Sequence, residues 1–468
     1  MTSTDPRRVC HGTAHTDGEW VKRPGGAPYS ASPHDLFKRF TAAESAINKA
    51  KLFGASASLS CSETPTAQSQ GGRQHYEWRS RQCDLDTFDG PAACALLEGR
   101  GIRQITVVGD SVGSQFYLSL VMLLAGVEGF GPPIQPGMPG GPLHLHAKAA
   151  TACGGRVRLS YARNDLLWWS SSGMEINTFR SCSGLAGGTL LHKWTSRAIH
   201  DADLLVLSAG IHVTGIIDGR PGPAIDAFPA HNLRHTLRSV LEERATTYNM
   251  PSQSVVLLGA PEPLPGCEKH ASPLTLTEAL LMSEPPANKY AGQWRRLREY
   301  NQVAQRLAED LGVPFLDIAA MSNTRPDAAV GRFGLGHDNP DPLAIDCLHT
   351  CQPGPVDEYV RLLMNTILVT PQLRVPSPRT MHLRFFNVSE ANWANLRDLE
   401  PIGAPTLLQP RLEEKYLCVS AARWFGPFVT CHHKGNQTRD NCRSRLDASV
   451  LRSLMSFQGD TSSMGIET

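Results

Sequence analysis

Between residue 101 and about residue 370, short apolar segments alternate with stretches of helical periodicity, and this alternation constrains the fold more than any other feature. The predicted strands are residues 102–108, 156–161, 203–208, 254–258 and 314–318. The helix predicted before the last strand carries, on one face, Trp294, Leu297, Tyr300, Ala304, Leu307 and Leu311. Strands separated by helices form parallel sheets, so we expect a doubly wound α/β domain.

The first predicted strand ends in Gly-Asp-Ser at residues 109–111, and residues 113–124 are predicted to form the helix that follows. Ser111 therefore lies on a strand-to-helix turn at the carboxyl edge of the sheet. Backbone N–H groups at the start of such a helix can face a developing oxyanion. This is a suitable place for a nucleophile, although Gly, Asp and Ser are also common in turns without chemistry.

A serine hydroxyl needs a neighbouring base, and His349 is the best candidate among the 17 histidines. Asp346 lies three residues before it, close enough to orient the imidazole. The segment Pro-Gly-Pro at 353–355 ends this loop before another predicted helix. We predict that Ser111 is the nucleophile, His349 the base and Asp346 its orienting carboxylate. The occurrence of both elements, one early and one late in the α/β pattern, favours catalysis more than either does alone.

Two further polar groups follow predicted strands. Gly210 and His212 follow the third, where the glycine admits a substrate and the histidine donates to an oxyanion or a sugar hydroxyl; the alternative is an ordinary turn. Asn164 and Arg163 follow the second, where they serve an oxyanion and a carboxylate; the alternative is a surface ion pair of Arg163 with Asp165.

Composition limits the kind of protein and of partner. With 468 residues, 41% of them hydrophobic and 19% charged, the chain can bury a large core. The formal charge of +1, without a long basic block, predicts no nucleic-acid partner. We expect a loop-rich, cysteine-containing N-terminal lobe at 1–100, a catalytic domain at 101–371 and a small C-terminal extension at 372–468.

The cysteines and sequons favour a secretory route. The 12 cysteines form no C-x-x-C pair, a pattern that suits disulfides in an oxidising lumen. Asn387 and Asn436 begin glycosylation sequons. The N-terminus, however, has no apolar signal core, and no run of 18 apolar residues occurs. Either a leader and a membrane anchor are missing from this sequence, or the protein is cytosolic and its thiols are reduced.

A zinc site is the competing interpretation of the loop around His349. Cys347 and Cys351 flank this histidine, and Cys-His-His occurs at 431–433. Structural zinc sites usually repeat a C-x₂₋₄-C spacing, and the second half is missing here, so we predict no metal. Disulfides to the two flanking cysteines would instead fix the loop that presents His349.

These motifs resemble those of a known superfamily. Gly-Asp-Ser at 109–111 with Asp346-x-x-His349 resembles the SGNH (GDSL-like) esterases. Residues 18–21 (GEWV), 76–85 (YEWRSRQCDL) and 346–355 (DCLHTCQPGP) resemble, more narrowly, the PC-esterase branch. That branch includes plant trichome birefringence-like polysaccharide O-acetyltransferases and animal sialate O-acetyltransferases. The resemblance spans roughly residues 10–370 and implies a flavodoxin-like three-layer sandwich.

The resemblance also implies a double displacement. Ser111 is acetylated by a donor such as acetyl-CoA, with no bound cofactor, and a hydroxyl of a polysaccharide or glycan acceptor then attacks the acetyl-serine in the Golgi or secretory lumen. His212 stands where an oxyanion asparagine is usual, and Thr350 where plant members usually have tryptophan. Their arginine shortly after the serine is absent from 112–115, so we expect a different acceptor from plant wall glycans.

The leading hypothesis is an O-acetyltransferase that acts on carbohydrate hydroxyls. The first alternative is a carbohydrate O-acetyl esterase with the same triad, because water and a sugar hydroxyl compete for one acyl-enzyme. The second alternative is a non-catalytic glycan-binding protein in which exposed tryptophans and the C-terminal extension bind the sugar.

Overall fold

The computed structural model describes residues 10, 13–23, 75–124, 147–164, 167, 182–183, 202–208, 210, 223–262, 266–283, 291–333, 346–370 and 430–431. His212, Asp165 and both sequons lie outside these residues, as does the C-terminal extension apart from 430–431.

The strands, in chain order, are β1 (Gly18–Lys22), β2 (Tyr76–Ser80), β3 (Gln104–Gly109), β4 (Ala147–Ala152), β5 (Val157–Arg163), β6 (Cys182–Ser183), β7 (Leu204–Ser208), β8 (Val255–Leu258), β9 (Phe315–Leu316) and β10 (Thr430–Cys431). The helices are α1 (Gly90–Gly99), α2 (Ser111–Leu124), α3 (Pro223–Tyr248), α4 (Leu276–Ser283), α5 (Ala291–Asp310), α6 (Ala319–Asn323) and α7 (Pro355–Val369). Short 3₁₀ turns occur at Ala14–Thr16, Ser252–Ser254, Cys267–Lys269, Pro326–Ala328 and Val330–Phe333.

The central sheet has six strands in the order β4-β5-β3-β7-β8-β9. From β5 to β9 all neighbouring strands are parallel, so the predicted parallel α/β sheet is confirmed. The five predicted strands correspond to β3, β5, β7, β8 and β9, with β9 reduced to two residues. The edge strand β4 was not predicted, because its sequence AKAATA has low strand propensity. Its pairing is antiparallel to β5, which shows that tertiary context decided its conformation.

Alternate residues of the central strands enter two different cores, as the two-residue period of a strand requires. Val107 of β3 and Val206 of β7 join a cluster with residues of α1, α2 and α7. Val108 and Leu207, the next residue on each strand, join a second cluster with residues of α3 and α5. Helices therefore cover both faces of the sheet, which confirms the doubly wound arrangement.

The N-terminal residues pack on the same core through a pair of tryptophans. Strands β1 and β2 are antiparallel, with Trp20 opposite Trp78 and their rings edge to face at 5.4 Å. Trp78 is fully buried and donates its indole N–H to the His15 carbonyl at 2.8 Å. Trp20 donates to the Thr324 hydroxyl at 2.9 Å. The guanidinium of Arg325 lies 4.6 Å from the Trp20 ring centroid.

Helix α7 holds the segment that follows β2. Arg361 donates from Nε to the Asp86 carbonyl at 3.0 Å and from Nη1 to the Trp78 carbonyl at 3.2 Å, and it also donates to the Leu85 carbonyl. Its charge is paired with Glu358 at 2.9 Å. The motif at 76–85 is therefore structural here, because one half-buried arginine satisfies the carbonyls of Trp78 and Leu85 within it and of Asp86 after it.

Disulfides are present, as the cysteine pattern predicts. They join Cys10 to Cys83, Cys94 to Cys153, and Cys267 to Cys347. Cys351 is disulfide-bonded as well. Each of the three closes a long loop, with sequence separations of 73, 59 and 80, so in a chain-entropy model each contributes about 4 kcal/mol.

Among the helices of the described residues, none combines the length and apolar character that a membrane span requires.

A buried carboxyl at the start of α7 makes stability depend on pH. Burial raises the pKa of Asp357 well above its ordinary value, and the Glu358 charge adds to the rise, against the opposing effects of the Gly354 N–H and the Arg23 charge. Its carboxyl accepts hydrogen bonds from Ser119 and from Gly354. A carboxyl whose pKa is raised by folding stabilises the fold when the pH is below the pKa of the unfolded state, which is about 4. This contribution is lost as the pH rises through the pKa of the folded state.

The variant Asp357→Asn removes this titration and keeps groups that can bond Ser119 and Gly354. We expect its free energy of unfolding to fall less than that of the wild type between pH 5 and pH 9, by on the order of 1 kcal/mol. Urea unfolding at several pH values measures the difference. Asp89→Asn, the same change at an exposed helix cap, is the control. Identical pH profiles for wild type and Asp357→Asn would contradict the prediction.

Candidate active site

Ser111 is the first residue of α2, and one residue, Asp110, separates it from the carboxyl end of β3 at Gly109. The buried carboxylate of Asp110 caps this helix by accepting from the N–H of Val112 at 3.0 Å and of Gly113 at 3.3 Å. These two donors are therefore engaged by a side chain rather than offered to an oxyanion. The N–H of Ser111 has no carbonyl one turn earlier in the helix, so it is the helix-start donor suited to an oxyanion.

The turn that carries Ser111 depends on close backbone packing between β3 and β7. The N–H of Asp110 donates to the Ser208 carbonyl at 3.1 Å. A Cβ atom added to Gly109 would lie 2.0 Å from the Ser208 oxygen, so only glycine fits there. The Tyr161 hydroxyl, from β5 on the other side, donates to the Asp110 carbonyl at 2.8 Å. The turn is therefore fixed from both neighbouring strands.

The structure brings Ser111, His349 and Asp346 together. His349 Nε2 lies 2.8 Å from Ser111 Oγ, and His349 Nδ1 lies 2.8 Å from Asp346 Oδ2. The other carboxylate oxygen of Asp346 accepts from the N–H groups of Leu348 and His349, both at 3.0 Å. The three side chains thus form one continuous hydrogen-bonded chain between residues far apart in sequence.

The protonation of this chain follows from the charge of Asp346. Burial alone raises the pKa of this carboxyl, but the charge of His349 and hydrogen bonds from His349 and Leu348 outweigh burial and lower the pKa to about 2. An ionised carboxylate only accepts, so Nδ1 of His349 carries the proton that it donates to Asp346. Nε2 then accepts from the hydroxyl of Ser111, which is the arrangement that a general base needs.

The loop of His349 is held on one side by residues 328–331. Val330 donates to the His349 carbonyl at 2.9 Å, Gly331 donates to the Asp346 carbonyl at 2.9 Å, and Cys351 donates to the Ala328 carbonyl at 2.8 Å. The Cys267–Cys347 disulfide adds a covalent anchor one residue after Asp346. Disulfides thus fix the loop, as expected for its flanking cysteines, and a disulfide sulfur is not the thiolate that zinc requires.

Of the remaining predicted site residues, those that the structure describes lie near the same edge of the sheet. Gly210 is buried with φ +153°, and an added Cβ would lie 2.6 Å from that of Ala260, so the position requires glycine. Asn164 is 1% exposed, and its N–H donates to the Gly109 carbonyl at 2.9 Å. Arg163 pairs with Gly109 across β5 and β3, but its side chain lies outside the described residues, as does all of His212. The roles of all four stay predictions.

Gln115 contacts the loop of the base and was missed by the sequence analysis. Its side-chain amide donates to the Thr350 carbonyl at 2.9 Å. The signal that points to it is its spacing: Gln115 follows Ser111 by four residues and therefore lies on the same face of α2.

A cavity of about 10 Å³ lies beneath the loop. Its lining residues include Val112, Leu348, Thr350 and Tyr359. This volume accommodates about one water.

Comparison with known proteins agrees with these features. Residues 266–366 match the PC-Esterase family model, described as a GDSL/SGNH-like acyl-esterase family found in Pmr5 and Cas1p. The matched segment includes Asp346 and His349. Protein trichome birefringence-like 18 of Arabidopsis thaliana is 24% identical over 336 residues, which cover 63% of this chain. The chain spans only 58% of the length of that relative. Both matches support the family that the sequence motifs indicate.

Proposed function

We propose that this chain, which the comparisons support as a PC-esterase-type, trichome birefringence-like protein, transfers an acetyl group to carbohydrate hydroxyls through an acetyl-serine at Ser111. The observation that carries the proposal is the hydrogen-bonded chain from Ser111 Oγ through His349 to Asp346. Acyl transfer requires a nucleophile, a base and a group that orients the base, and this chain supplies all three.

In the first half-reaction, Ser111 Oγ attacks the acetyl carbonyl of the donor while His349 Nε2 takes the hydroxyl proton. The tetrahedral intermediate collapses, the bond between the acetyl carbon and the donor breaks, and the imidazolium returns the proton to the departing donor group. Asp346 stabilises the imidazolium throughout. With acetyl-CoA as donor, the products of this half-reaction are acetyl-serine and free thiol.

The developing oxyanion needs donors that are already in place. We assign this role to the N–H of Ser111 and to the backbone of Gly210, with the side chain of the buried Asn164 as a third candidate. All three lie at the carboxyl ends of neighbouring parallel strands, where ligands of such sheets bind.

In the second half-reaction, a sugar hydroxyl gives its proton to His349 Nε2 and attacks the acetyl carbon of the acetyl-serine. The bond from this carbon to Ser111 Oγ then breaks, and the imidazolium returns the proton to Ser111 Oγ, which leaves free Ser111 and an O-acetylated glycan. If water enters instead, the same enzyme is an esterase. The two outcomes share every residue of the triad, so the esterase remains the second candidate.

We propose that the protein is located in the lumen of the secretory pathway, and we expect the compartment to be the Golgi. The disulfides support this location, because such bonds persist in oxidising compartments and are rare in the cytosol.

The structure offers no support for the glycan-binding alternative from the N-terminal tryptophans. Trp20 and Trp78 are 8% and 0% exposed, so neither presents a ring face on which a sugar can stack. A continuous triad also has no purpose in a silent binding protein.

Product analysis separates transferase from esterase. The full chain is incubated with isotope-labelled acetyl-CoA, or with p-nitrophenyl acetate as a surrogate donor, with and without neutral or sialylated oligosaccharides. We expect label on the oligosaccharide and a faster turnover of donor when the acceptor is present. Free acetate as the sole product, at a rate that the acceptor does not change, would establish the esterase instead.

A further inference from the structure

Three polar residues on one face of α2 bond to consecutive parts of the segment that carries His349. Ser111, Gln115 and Ser119 are spaced by four residues, so they lie one above the other along the helix. Ser111 faces His349, Gln115 bonds to Thr350, and Ser119 donates to Asp357 at the start of α7. The contacts of Ser111 and Gln115 reach the loop of His349, whereas that of Ser119 reaches the start of α7 beyond this loop.

The contact of Gln115 is the one next to the base. Its Nε2 donates to the Thr350 carbonyl at 2.9 Å, and the Thr350 N–H approaches Oε1 at 3.5 Å, so one side-chain amide faces both backbone polar groups of Thr350. The side chain of Gln352 also donates to the Gln115 carbonyl at 2.8 Å. Gln115 is 4% exposed, which means that water competes little for these bonds.

Two other anchors of the loop, among the described residues, join it to elements that do not carry the nucleophile, whereas the side chain of Gln352 joins it to the backbone of α2. Residues 328–331 bond the loop through their backbone, and Cys267 bonds it through the disulfide with Cys347. The anchors at residues 328–331 and Cys267 do not involve α2. The side chain of Gln115 connects α2, four residues from Ser111, to the residue that directly follows His349.

We propose that Gln115 is a positioning residue that holds His349 Nε2 within hydrogen-bond reach of Ser111 Oγ. The inference rests on the proposed function, because it assigns to Gln115 the geometry that this triad needs. Gln115 touches no reacting atom and acts through the backbone of Thr350. Misplacement of a base by about 1 Å lowers a rate by about a hundredfold, so a residue that acts only on position affects the rate strongly.

The test compares Gln115→Met, which keeps the length of the side chain and removes its hydrogen bonds, with Ser119→Ala, which removes a bond one turn further along α2. The readouts are the rate at which a fluorophosphonate probe labels Ser111, kcat and KM for p-nitrophenyl acetate, and the free energy of unfolding. We expect Gln115→Met to lower the labelling rate and kcat by about ten- to a hundredfold and to change KM by less than about twofold. Ser119→Ala is expected to destabilise the fold and to keep the labelling rate within about twofold of the wild type.

A double-mutant cycle with His349→Gln adds a readout that a purely structural role does not move. If Gln115 acts through the base, Gln115→Met has no further effect on labelling once His349 is replaced. Gln115→Asn, which keeps an amide but is one methylene shorter, is expected to show the same slow labelling and provides the comparison if Gln115→Met does not fold.

The outcomes distinguish the inference from the proposed function. A wild-type chain that the probe does not label above background overturns the proposed function itself. A wild type that is labelled at Ser111, with Gln115→Met and Gln115→Asn labelled equally fast, overturns the role of Gln115 alone. Additive effects in the cycle with His349→Gln do the same.

Discussion

Ser111→Ala is expected to reduce acetyl transfer to the uncatalysed background, a loss of about 10⁴-fold or more in kcat/KM. Alanine has no oxygen that can take the acetyl group, and His349, although still paired with Asp346, then has no hydroxyl to activate. The measurement is initial rate with p-nitrophenyl acetate, together with mass spectrometry of the protein after a short incubation. The wild type is expected to show a trapped acetyl group on the peptide that contains Ser111, and the variant none.

Ser114→Ala is the matched control, because Ser114 is on the same helix but is not part of the hydrogen-bonded chain from Ser111 to Asp346. This variant is expected to keep its rate within about twofold of the wild type and to form the same acetylated peptide. Transfer by Ser111→Ala at a rate well above the background would remove the acetyl-serine mechanism. A directly attacking acceptor would then be the simpler account.

The part of the fold that was predictable from sequence is the part with strong local signals. Strand β3 is nearly continuous in apolar character because both of its faces are covered by helices, and such a run is recognisable without a structure. By contrast, β4 consists largely of alanine and becomes a strand only because the edge of β5 offers it a row of hydrogen-bonding groups. The conformation of β4 is therefore determined more by its pairing with β5 than by its own residues.

The candidate site also has residues that were predictable from local sequence motifs and features that were not. Ser111, Asp346 and His349 were predictable because each lies in a short motif with a chemical reason for its spacing. The sequence did not predict that Asp110 caps α2. Its carboxylate accepts from the N–H groups of Val112 and Gly113, and these two donors are therefore not offered to the oxyanion. Such competition between a side chain and a ligand for one donor depends on rotamers, which the sequence does not specify.

The contacts that hold the loop of His349 show a third limit on what the sequence can predict. The flanking cysteines indicated that disulfides fix the loop, yet the partner of Cys347 is Cys267, at a sequence separation of 80. No local pattern selects that pairing, because many connectivities of the cysteines are consistent with their spacing. Gln115 is similar: its position on the face of Ser111 follows from helical periodicity, but its contact with Thr350 follows only from how α2 meets the loop.

Asp346→Asn is expected to lower kcat by about 10³- to 10⁴-fold while the fold is kept. The side-chain oxygen of asparagine can still accept from Leu348 and His349, so the turn is retained. Its amide, however, donates to His349 Nδ1, which moves the imidazole proton to Nε2. That nitrogen then no longer accepts from Ser111, and the base is held in the wrong tautomer. Steady-state rates at pH 6 to 8 and the fluorophosphonate labelling rate measure the loss.

The same variant tests the charge of Asp346 through stability. A carboxyl pKa lowered to about 2 stabilises the folded state above the unfolded value of about 4, and the contribution disappears as pH falls through the folded value. The wild type is therefore expected to exceed Asp346→Asn in free energy of unfolding by on the order of 2 kcal/mol at neutral pH, and to lose this advantage between about pH 4 and about pH 2.

Asp357→Asn is the control for both measurements, because Asp357 is a buried carboxyl of the same region that bonds Ser119 and Gly354 and not His349. It is expected to keep a near wild-type kcat and to show the opposite dependence of stability on pH, since its pKa is raised where that of Asp346 is lowered. An Asp346→Asn variant within tenfold of the wild-type kcat would mean that His349 does not depend on this carboxylate for its tautomer. The base would then act as a dyad with Ser111, and the Asp346 hydrogen bonds would serve only the shape of the loop.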